Sequence, residues 1–297
     1  MANNTDFTFE AAFDVIAPQQ QSLPFVFNSP HSGAHYPAAF LESSRLTPLS
    51  IRRSEDLFVD DLFMEMPKFG APLLRANFPR AYLDVNREPY ELDPKMFDGA
   101  LPSYANIRSI RVAGGLGTIA RVVAEGQEIY PGKLSVEEAM SRIEHLYKPY
   151  HKQLRQMLAK TIVDQGIACL IDCHSMPSGQ IGDNYLARPD FVLGDRYGTS
   201  CSSAVTDMIW TYLTNKGYQV SRNKPYAGGF ITEHYGRPDQ QLHAIQIEIN
   251  RGLYADEENF ERNERFGRVK KDLTSVFQKI FSHRQDLFDV DIPLAAE

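Results

Sequence analysis

The stretch ACLIDCHSMPSG, residues 168–179, places a carboxylate and a histidine where an apolar run ends before a turn. Such a run is typical of a buried strand. Alternate side chains of a strand share one face, so Asp172 and His174 are predicted to lie on one face, and Ile171 and Cys173 on the other. Because neutral imidazole is a common zinc ligand, His174 is a candidate metal ligand. Asp172 is a candidate to orient a ligand, and a hydrogen-bonded turn histidine is the alternative for His174.

A second histidine follows the same pattern in FVFNSPHSG, residues 25–33, where an apolar run breaks into small turn residues around His31. Two strand ends that carry histidine predict a shared metal site. His35 lies four residues after His31, at the spacing of a helical metal pair. Gly33 and Pro37 disfavour a helix there, so His35 is left out of the predicted site.

A catalytic zinc site needs a third protein ligand and an open position for water. The carboxylate candidates are Glu55 and Asp56 in SEDLFVDDL, residues 54–62, at the start of an apolar helical stripe. Their spacing alone does not choose between them. Acidic residues at a helix N-terminus also interact favourably with the helix dipole, and this is the alternative without any metal.

The segment HAIQIEIN, residues 243–250, alternates between apolar and polar residues. As a strand it presents three isoleucines on one face and Gln246, Glu248 and Asn250 on the other. Both faces of a parallel sheet are normally covered, so a polar face near the carboxyl end indicates a site. An edge strand with one wet face is the alternative. We predict that Glu248 is the general base, which takes a proton from zinc-bound water.

Two Asn-Arg pairs end predicted strands. Asn86 and Arg87 follow residues 81–85, and Asn250 and Arg251 follow the strand of the general base. The planar fork of arginine binds a carboxylate bidentately, and a second arginine suits a second carboxylate. Arg87 and Arg251 therefore predict an anionic substrate, of which a dicarboxylate is one form.

Two glycine-rich stretches supply further candidates. VAGGLGTIAR, residues 112–121, lacks the ending of a phosphate-binding P-loop and follows no clear strand. It is predicted to be a flexible loop that brings backbone N–H groups and Arg121 to an anion. In YAGGFITEHYG, residues 226–236, two adjacent glycines form a predicted hinge, and His234 is a candidate to stabilise an oxyanion.

Strands that alternate with helices must position these side chains. Strands are predicted at residues 25–27, 81–85, 169–171 and 244–249. Helices are predicted from a capping box at Ser135, divided or kinked at Pro149 and stopped at Gly166, and at residues 202–215 and 257–283. This order predicts one α/β domain over residues 1–297, with a mostly parallel sheet covered on both faces. In such sheets ligands bind beyond the carboxyl ends of the strands.

The composition excludes several classes of protein. Of the 297 residues, 43% are hydrophobic and 23% charged, which is typical of a globular protein. The net charge of -7 and the scattered basic residues argue against a nucleic-acid surface. No apolar run is long enough for a membrane span, and the first residues lack a secretory pattern, so a cytoplasmic location is expected. The three cysteines are predicted to be reduced thiols, mostly in the core.

Six motifs together resemble the N-formylglutamate amidohydrolase family. They are SPHSG at 29–33, SEDLFVDDLF at 54–63, DVNREPYELDP at 84–94, GLGTIARVV at 115–123, DCHSMPS at 172–178, and GGFITEHYGRP through QIEINRGLY at 228–254. The resemblance implies a hydrolase with one zinc ion on a three-layer α/β/α sandwich with a mixed, mostly parallel sheet, related to zinc carboxypeptidases and aspartoacylases. The short HxxE motif of those relatives is absent, because Ala34 stands three residues after His31. The family pattern favours Asp56 over Glu55 and makes His31 and His174 the imidazole ligands.

The resemblance also implies a reaction, the hydrolysis of N-formyl-L-glutamate to formate and L-glutamate in histidine degradation. In that reaction Glu248 moves the proton, Asn86 and Arg87 hold a substrate carboxylate, and Arg87 or His234 helps zinc to stabilise the oxyanion. Two alternatives stay open. One is a zinc deacylase or carboxypeptidase-like hydrolase of another N-acyl amino acid, and the other is a non-catalytic protein that binds an acidic metabolite. The oligomeric state is not predicted.

Overall fold

The computed structural model describes residues 9–124, 126–179 and 189–288. Among these residues no helix combines the length and the apolar character that a bilayer crossing needs. The strands, numbered in chain order, are β1 (Phe13–Ile16), β2 (Phe25–Ser29), β3 (Leu73–Ala76), β4 (Phe97–Asp98), β5 (Val122–Ala124), β6 (Gln127–Glu128), β7 (Leu134–Ser135), β8 (Ala168–Met176), β9 (Phe191–Gly194), β10 (Val220–Arg222), β11 (Leu242–Asn250), β12 (Ala255–Asp256) and β13 (Glu261–Arg262).

The helices are fewer and mostly short. They are α1 (Ala38–Ser43), α2 (Val59–Leu62), α3 (Ile110–Ala113), α4 (Val136–Arg142), α5 (Lys148–Gln165), α6 (Ser203–Asn215), α7 (Phe230–Tyr235), α8 (Phe266–Ser282) and α9 (Arg284–Leu287). A π-helical segment, Ile143–Tyr147, joins α4 to α5. Short 3₁₀ turns occur at Ser50–Ser54, Met66–Phe69, Pro94–Met96, Pro238–Gln240 and Arg251–Leu253.

Seven strands form one mixed sheet in the order β1-β3-β2-β8-β11-β9-β10. The four central strands β3, β2, β8 and β11 are parallel to one another. β1 runs antiparallel to β3, and β9 and β10 run antiparallel to β11. The longest strands are β8 and β11, which pair in register over nine residues at the centre. The prediction of a mixed, mostly parallel sheet is confirmed.

Helices cover both faces of this sheet, because alternate strand residues belong to two separate cores. Phe27, Ile171 and Ile247 belong to the first core, together with residues of α2, α6 and α8. Val26 and Leu170 belong to the second core, together with residues of α4, α5 and α7. The three-layer α/β/α arrangement is thereby confirmed, and the period-2 alternation of the strands is its physical cause.

The strand predicted at residues 81–85 is wrong. The chain forms β3 earlier, and then turns, since the N–H groups of Tyr82 and Leu83 both donate to the carbonyl of Pro79. Leu83 and Val85 are buried in the second core without belonging to a strand. The apolar run there reflects burial of an irregular segment. Burial alone does not require the backbone hydrogen bonds of a strand. Asn86 and Arg87 are therefore carried by a loop and not by a strand end.

The predicted helix from Ser135 is largely confirmed. The Ser135 hydroxyl accepts a hydrogen bond from the Glu138 N–H at 3.0 Å, as a capping serine does. The predicted division at Pro149 corresponds to the change from the π-helical segment to α5, where proline occupies the first turn and needs no N–H partner. Gly166 ends α5 with a φ of 77°, which favours glycine.

The other two helix predictions differ in accuracy. Residues 202–215 match α6, whereas the predicted helix 257–283 begins too early and only its second part is α8. The Asp256 carboxylate accepts hydrogen bonds from the N–H groups of Glu258 and Asn259, which makes a turn between β12 and β13. All three cysteines are free and buried, as predicted.

Candidate active site

Three predicted metal ligands lie together in the interior. His31, Asp56 and His174 are buried, and one potential ligand atom from each lies within 4.8 Å of the others. The Oδ2 atom of Asp56 is 3.5 Å from His31 Nδ1 and 2.9 Å from His174 Nδ1. His31 follows β2, and its carbonyl accepts the Asp56 N–H at 3.0 Å, so the two loops are fixed to each other. The three side chains form a possible metal site.

The outer nitrogen of each imidazole is held by a second carboxylate. His31 Nε2 lies 2.7 Å from Asp84 Oδ1, and His174 Nε2 lies 3.0 Å from Asp172 Oδ2. Since an ionised carboxylate only accepts, each Nε2 donates its N–H, and in the neutral ring the lone pair is then on Nδ1. His31 Nδ1 is buried and has no hydrogen-bond partner within the described residues. With both rings neutral, two Nδ1 lone pairs and one carboxylate oxygen would face the same point, an arrangement that fits a divalent cation, with Asp84 and Asp172 orienting the two histidines.

Each charge of this cluster depends on its neighbours. Burial raises the pKa of Asp56, but a hydrogen bond to His174 and attraction to His174 and His31 hold it well below its usual range. The pKa of Asp84 is likewise held well below its usual range, because attraction to Arg87, His31 and Arg80 outweighs burial. Burial lowers the pKa of His174, yet Asp172 and Asp56 raise it well above its usual value. The carboxylates are therefore ionised, and a bound cation would offset their negative charge.

The structure separates the two carboxylate candidates that the sequence left together. Glu55 is turned away from the histidines and accepts hydrogen bonds from Arg52 Nε at 2.9 Å and Tyr36 Oη at 2.7 Å. The Asp56 side chain enters the cluster. Its second oxygen, Oδ1, is contacted by Arg251 Nη2 at 3.3 Å and by the Ser175 hydroxyl at 3.4 Å.

A cavity of about 460 Å³ opens beside the histidines, and Glu248 lines it. Glu248 is the in-register neighbour of His174, on β11 beside β8, so their side chains share a face one strand spacing apart. Gln246 Nε2 donates to Glu248 Oε1 at 2.8 Å. Burial raises the pKa of Glu248 to about 7, against attraction to His174 and with repulsion from Asp56. A carboxyl group with this pKa can exchange a proton near neutral pH.

Arginine side chains supply an excess of positive charge at the same cavity, which is lined by Arg53, Arg80, Arg87, Arg111 and Arg251. The Nε of Arg87 donates to the Leu116 carbonyl at 2.8 Å. Burial lowers the pKa of Arg87 to about 10, Asp84 opposes this, and Arg80 and Arg111 lower the pKa further. Because these guanidinium groups repel one another, an anion in the cavity would be favourable.

Asn86 lies between the metal cluster and the glycine-rich segment before α7. Its Nδ2 atom is 3.2 Å from His174 Nε2, and its Oδ1 atom accepts the Ile231 N–H at 2.8 Å. A Cβ atom at Gly229 would lie 2.4 Å from Asn86 Nδ2, so the segment approaches this closely only with glycine. Gly228 and Gly229 line the cavity, and their role as a hinge stays a prediction.

Two predicted residues are not brought to this cavity. Arg121 pairs with Asp93 at 3.1 Å and Glu128 at 3.0 Å, and it does not line the cavity. His234 stacks on Phe230, with ring centroids 5.0 Å apart, and also lies outside the lining. The glycines predicted an unusual backbone conformation in these two segments, but they did not indicate the direction of the Arg121 and His234 side chains.

The sequence assigned no role to several residues that contact the site, among them Asp84, Arg80 and Gln246. Asp84 holds His31, Arg80 contacts Asp84 through Nε at 3.1 Å, and Gln246 contacts the proposed base. No hydrogen bond joins either Nη atom of Arg80 to another residue of the described chain. Asp84 had a usable signal, because it precedes Asn86 by two residues, just as Asp172 precedes His174.

Comparison with known proteins identifies close relatives. A model of the N-formylglutamate amidohydrolase family matches residues 23–255. The N-formylglutamate deformylase of Pseudomonas aeruginosa is 28% identical over 250 residues, which cover 82% of this chain and 87% of that protein. The N-formylglutamate deformylase of Pseudomonas putida is 29% identical over 252 residues, covering 82% and 86%.

Solved structures are similar as well. The crystal structure of an N-formylglutamate amidohydrolase from Ralstonia eutropha JMP134 superposes with a TM-score of 0.87 at 36% identity, covering 93% of this chain and 99% of that one. A protein from Agrobacterium tumefaciens shares the fold, with a TM-score of 0.64 at 20% identity and coverage of 91% and 96%.

Proposed function

We propose that this chain, which belongs to the N-formylglutamate amidohydrolase family, hydrolyses the amide of N-formyl-L-glutamate to formate and L-glutamate. One observation carries the proposal. A histidine–carboxylate cluster, a buried carboxyl group with a pKa of about 7 and an excess of arginine all adjoin one cavity of about 460 Å³. Amide hydrolysis needs a nucleophile, a proton carrier and charge stabilisation, and an acidic substrate needs cations.

His31, His174 and Asp56 would hold the metal ion, and we propose zinc, since two imidazoles and one carboxylate are a donor set typical of zinc hydrolases. A zinc ion supplies a Lewis acid and lowers the pKa of water towards ~7. The chain contributes the orientation of the donors. Asp84 and Asp172 hold the outer nitrogens of the rings, so that both Nδ1 atoms point inward.

Glu248 moves the proton in the proposed reaction. One carboxylate oxygen takes a proton from the attacking water and returns it to the amide nitrogen, which leaves as the amino group of glutamate. The N–H of Gln246 occupies Oε1 and leaves Oε2 as the proton-carrying atom. As the C–N bond breaks, the water oxygen remains on the formyl carbon, and formate is the second product.

The arginines bind the substrate and stabilise charge. Arg80 and Arg111 line the cavity, and the Nη atoms of Arg80 have no hydrogen-bond partner in the described chain, so they are candidates for the substrate carboxylates. Arg87, beside Asp84, remains the candidate to stabilise the oxyanion. Asn86 remains a candidate to contact the substrate. The two negative charges of N-formylglutamate would reduce the repulsion that lowers the pKa of Arg87.

The proposal is tested by substrate comparison with the purified protein. Formate release from N-formyl-L-glutamate is compared with turnover of N-acetyl-L-glutamate and N-formyl-L-leucine at equal zinc. We expect kcat/KM to be at least about tenfold higher for N-formyl-L-glutamate than for N-formyl-L-leucine, because the leucine compound lacks the side-chain carboxylate and one charged contact contributes roughly 1.5–3 kcal/mol. A preference for the acetyl substrate would indicate another deacylase. Tight binding of glutamate without turnover of any amide would indicate a binding protein.

A further inference from the structure

Arg251 is buried at the end of β11, and its hydrogen bonds are directed at the protein. Nε donates to Ser175 Oγ at 3.0 Å, and Nη1 donates to the Arg53 carbonyl at 3.2 Å. Nη2 donates to Asp56 Oδ1 at 3.3 Å and to the Ser175 carbonyl at 3.5 Å. A guanidinium group has five N–H donors, so these four contacts leave no free fork for a substrate carboxylate. This differs from the substrate-binding role that the sequence suggested.

These contacts converge on one oxygen of Asp56. Arg251 Nη2 and Ser175 Oγ both reach Oδ1, at 3.3 and 3.4 Å. The other oxygen, Oδ2, is the atom that faces the two histidine Nδ1 atoms, at 3.5 and 2.9 Å. A carboxylate held through one oxygen has a fixed plane, and its second oxygen is then aimed at one point.

We propose that Arg251, together with Ser175, is a positioning residue that orients Asp56 for the metal ion and does not anchor the substrate. Its contact with the Arg53 carbonyl supports this, because that carbonyl lies three residues before Asp56. One guanidinium group therefore fixes both the backbone that leads to the ligand and the ligand side chain. The inference rests on the metal-binding part of the proposed function.

Arg53 offers a matched control at the same cavity. Its side chain is exposed and lines the cavity. Within the described residues its guanidinium has no hydrogen bond, and Arg251 contacts Arg53 at the main-chain carbonyl and not at the side chain. Substitution of this side chain removes a cation from the cavity without removing a contact to Asp56. It should change substrate binding and leave metal binding unaltered.

The experiment measures zinc affinity without substrate. Zinc-free full-length protein competes with a chromophoric chelator for zinc, as wild type and as Arg251→Gln, Arg251→Lys, Ser175→Ala and Arg53→Gln. Loss of a group that orients a metal ligand typically weakens affinity by about 10- to 100-fold. We expect this increase in Kd for both Arg251 variants, a smaller one for Ser175→Ala, and a change within about twofold for Arg53→Gln. At saturating zinc, the KM of the Arg251 variants should stay within about threefold of wild type.

Several results would overturn the inference. One is an unchanged zinc Kd in Arg251→Gln together with a KM raised more than about tenfold. Another is tighter zinc binding in Arg251→Gln with no change in Arg251→Lys, which would show only an effect of charge. If Arg251→Gln does not fold, an unchanged Kd in Ser175→Ala would be the contrary result. A wild type without zinc affinity would overturn it as well. Zinc binding without formate release would contradict the proposed function and leave this inference standing.

Discussion

The site is assembled from two regions that are fixed in different ways. His174 and Glu248 lie on β8 and β11, whose nine-residue register is set by backbone hydrogen bonds. Asp56, Asp84 and Arg87 lie on connecting segments and are fixed by contacts between charged side chains. In the strand region the backbone sets the distance between the proposed metal ligand His174 and the proposed base Glu248. In the loop region each position depends on a partner, so removal of one charge should disturb several groups.

The largest effect is expected in the strand region. Glu248→Gln preserves the shape of the side chain and removes the proton carrier, so kcat should fall by about 10²- to 10⁴-fold. The zinc content should stay that of wild type, because the backbone register is unchanged. Formate release and metal analysis on the same preparation check both statements. A kcat within tenfold of wild type would show that Glu248 is not the base.

A mutation in the loop region should instead cost stability and metal binding together. Asp84→Asn removes the charge that holds His31 at 2.7 Å and Arg80 at 3.1 Å. We expect the free energy of unfolding to fall by about 3 kcal/mol, because the buried guanidinium of Arg87 loses its charged partner. The zinc Kd should rise by about tenfold or more. Denaturant unfolding of the zinc-free protein measures the first effect, and unchanged stability would contradict the distinction between the regions.

The contact between helix α5 and the loop region should also give a pH dependence. Buried His151 contacts the Val85 carbonyl through Nε2 at 2.8 Å and the Tyr235 hydroxyl through Nδ1 at 2.9 Å. Burial lowers its pKa to about 4, against the hydrogen bond to Val85 and together with repulsion from His234 and Arg155.

Because the unfolded chain takes up this proton near pH ~6.5 and the folded chain only near pH 4, stability should fall as the pH drops through that window. At 1.36 kcal/mol per pKa unit the loss is about 3 kcal/mol. Unfolding of the zinc-free protein between pH 7 and 4 measures it. His151→Gln keeps a donor for the Val85 carbonyl, and its curve should lack this part of the pH dependence. Parallel curves would contradict the prediction.

The smallest effect is expected outside the cavity. Arg121→Gln breaks partly exposed ion pairs, so stability should change by less than about 1 kcal/mol and KM for N-formyl-L-glutamate should not change. Arg111→Gln removes a cation that lines the cavity, and KM should rise by about tenfold. Steady-state kinetics of the two variants side by side check this pair. Equal KM values for the two variants would show that the substrate does not bind in this cavity near Arg111.

The strand region could be predicted from sequence because its alternation has one physical meaning. On β8 and β11 the isoleucines enter the first core, and the opposite face leads from apolar residues of the second core to Asp172, His174 and Glu248. The apolar run at residues 81–85, which ends in a turn signal, was wrongly predicted to be a strand, because a buried loop at a core surface has the same composition. A strand assignment needs partners for its backbone groups, and those partners are distant in sequence.

Contacts between distant segments also explain the other differences. The local spacing of Glu55 and Asp56 does not choose between them, whereas in the fold Asp56 contacts His174, 118 residues away. Arg251 has the chemistry of a carboxylate anchor, but its donors are taken by Ser175 and by the Arg53 carbonyl, 198 residues away. Sequence indicates what a side chain can bind, and the fold determines which partner it has.

The in-register pairing of β8 with β11 has a consequence for how such enzymes can diversify. Since backbone hydrogen bonds set the spacing of His174 and Glu248, insertions or exchanges in the connecting segments leave that spacing unchanged. Arg111 on α3 and Arg53 near α2 lie on such segments. Exchange of a side chain such as Arg111 can therefore change substrate preference, while the segments that carry His31, Asp56 and Asp84 must be kept for the proposed metal site.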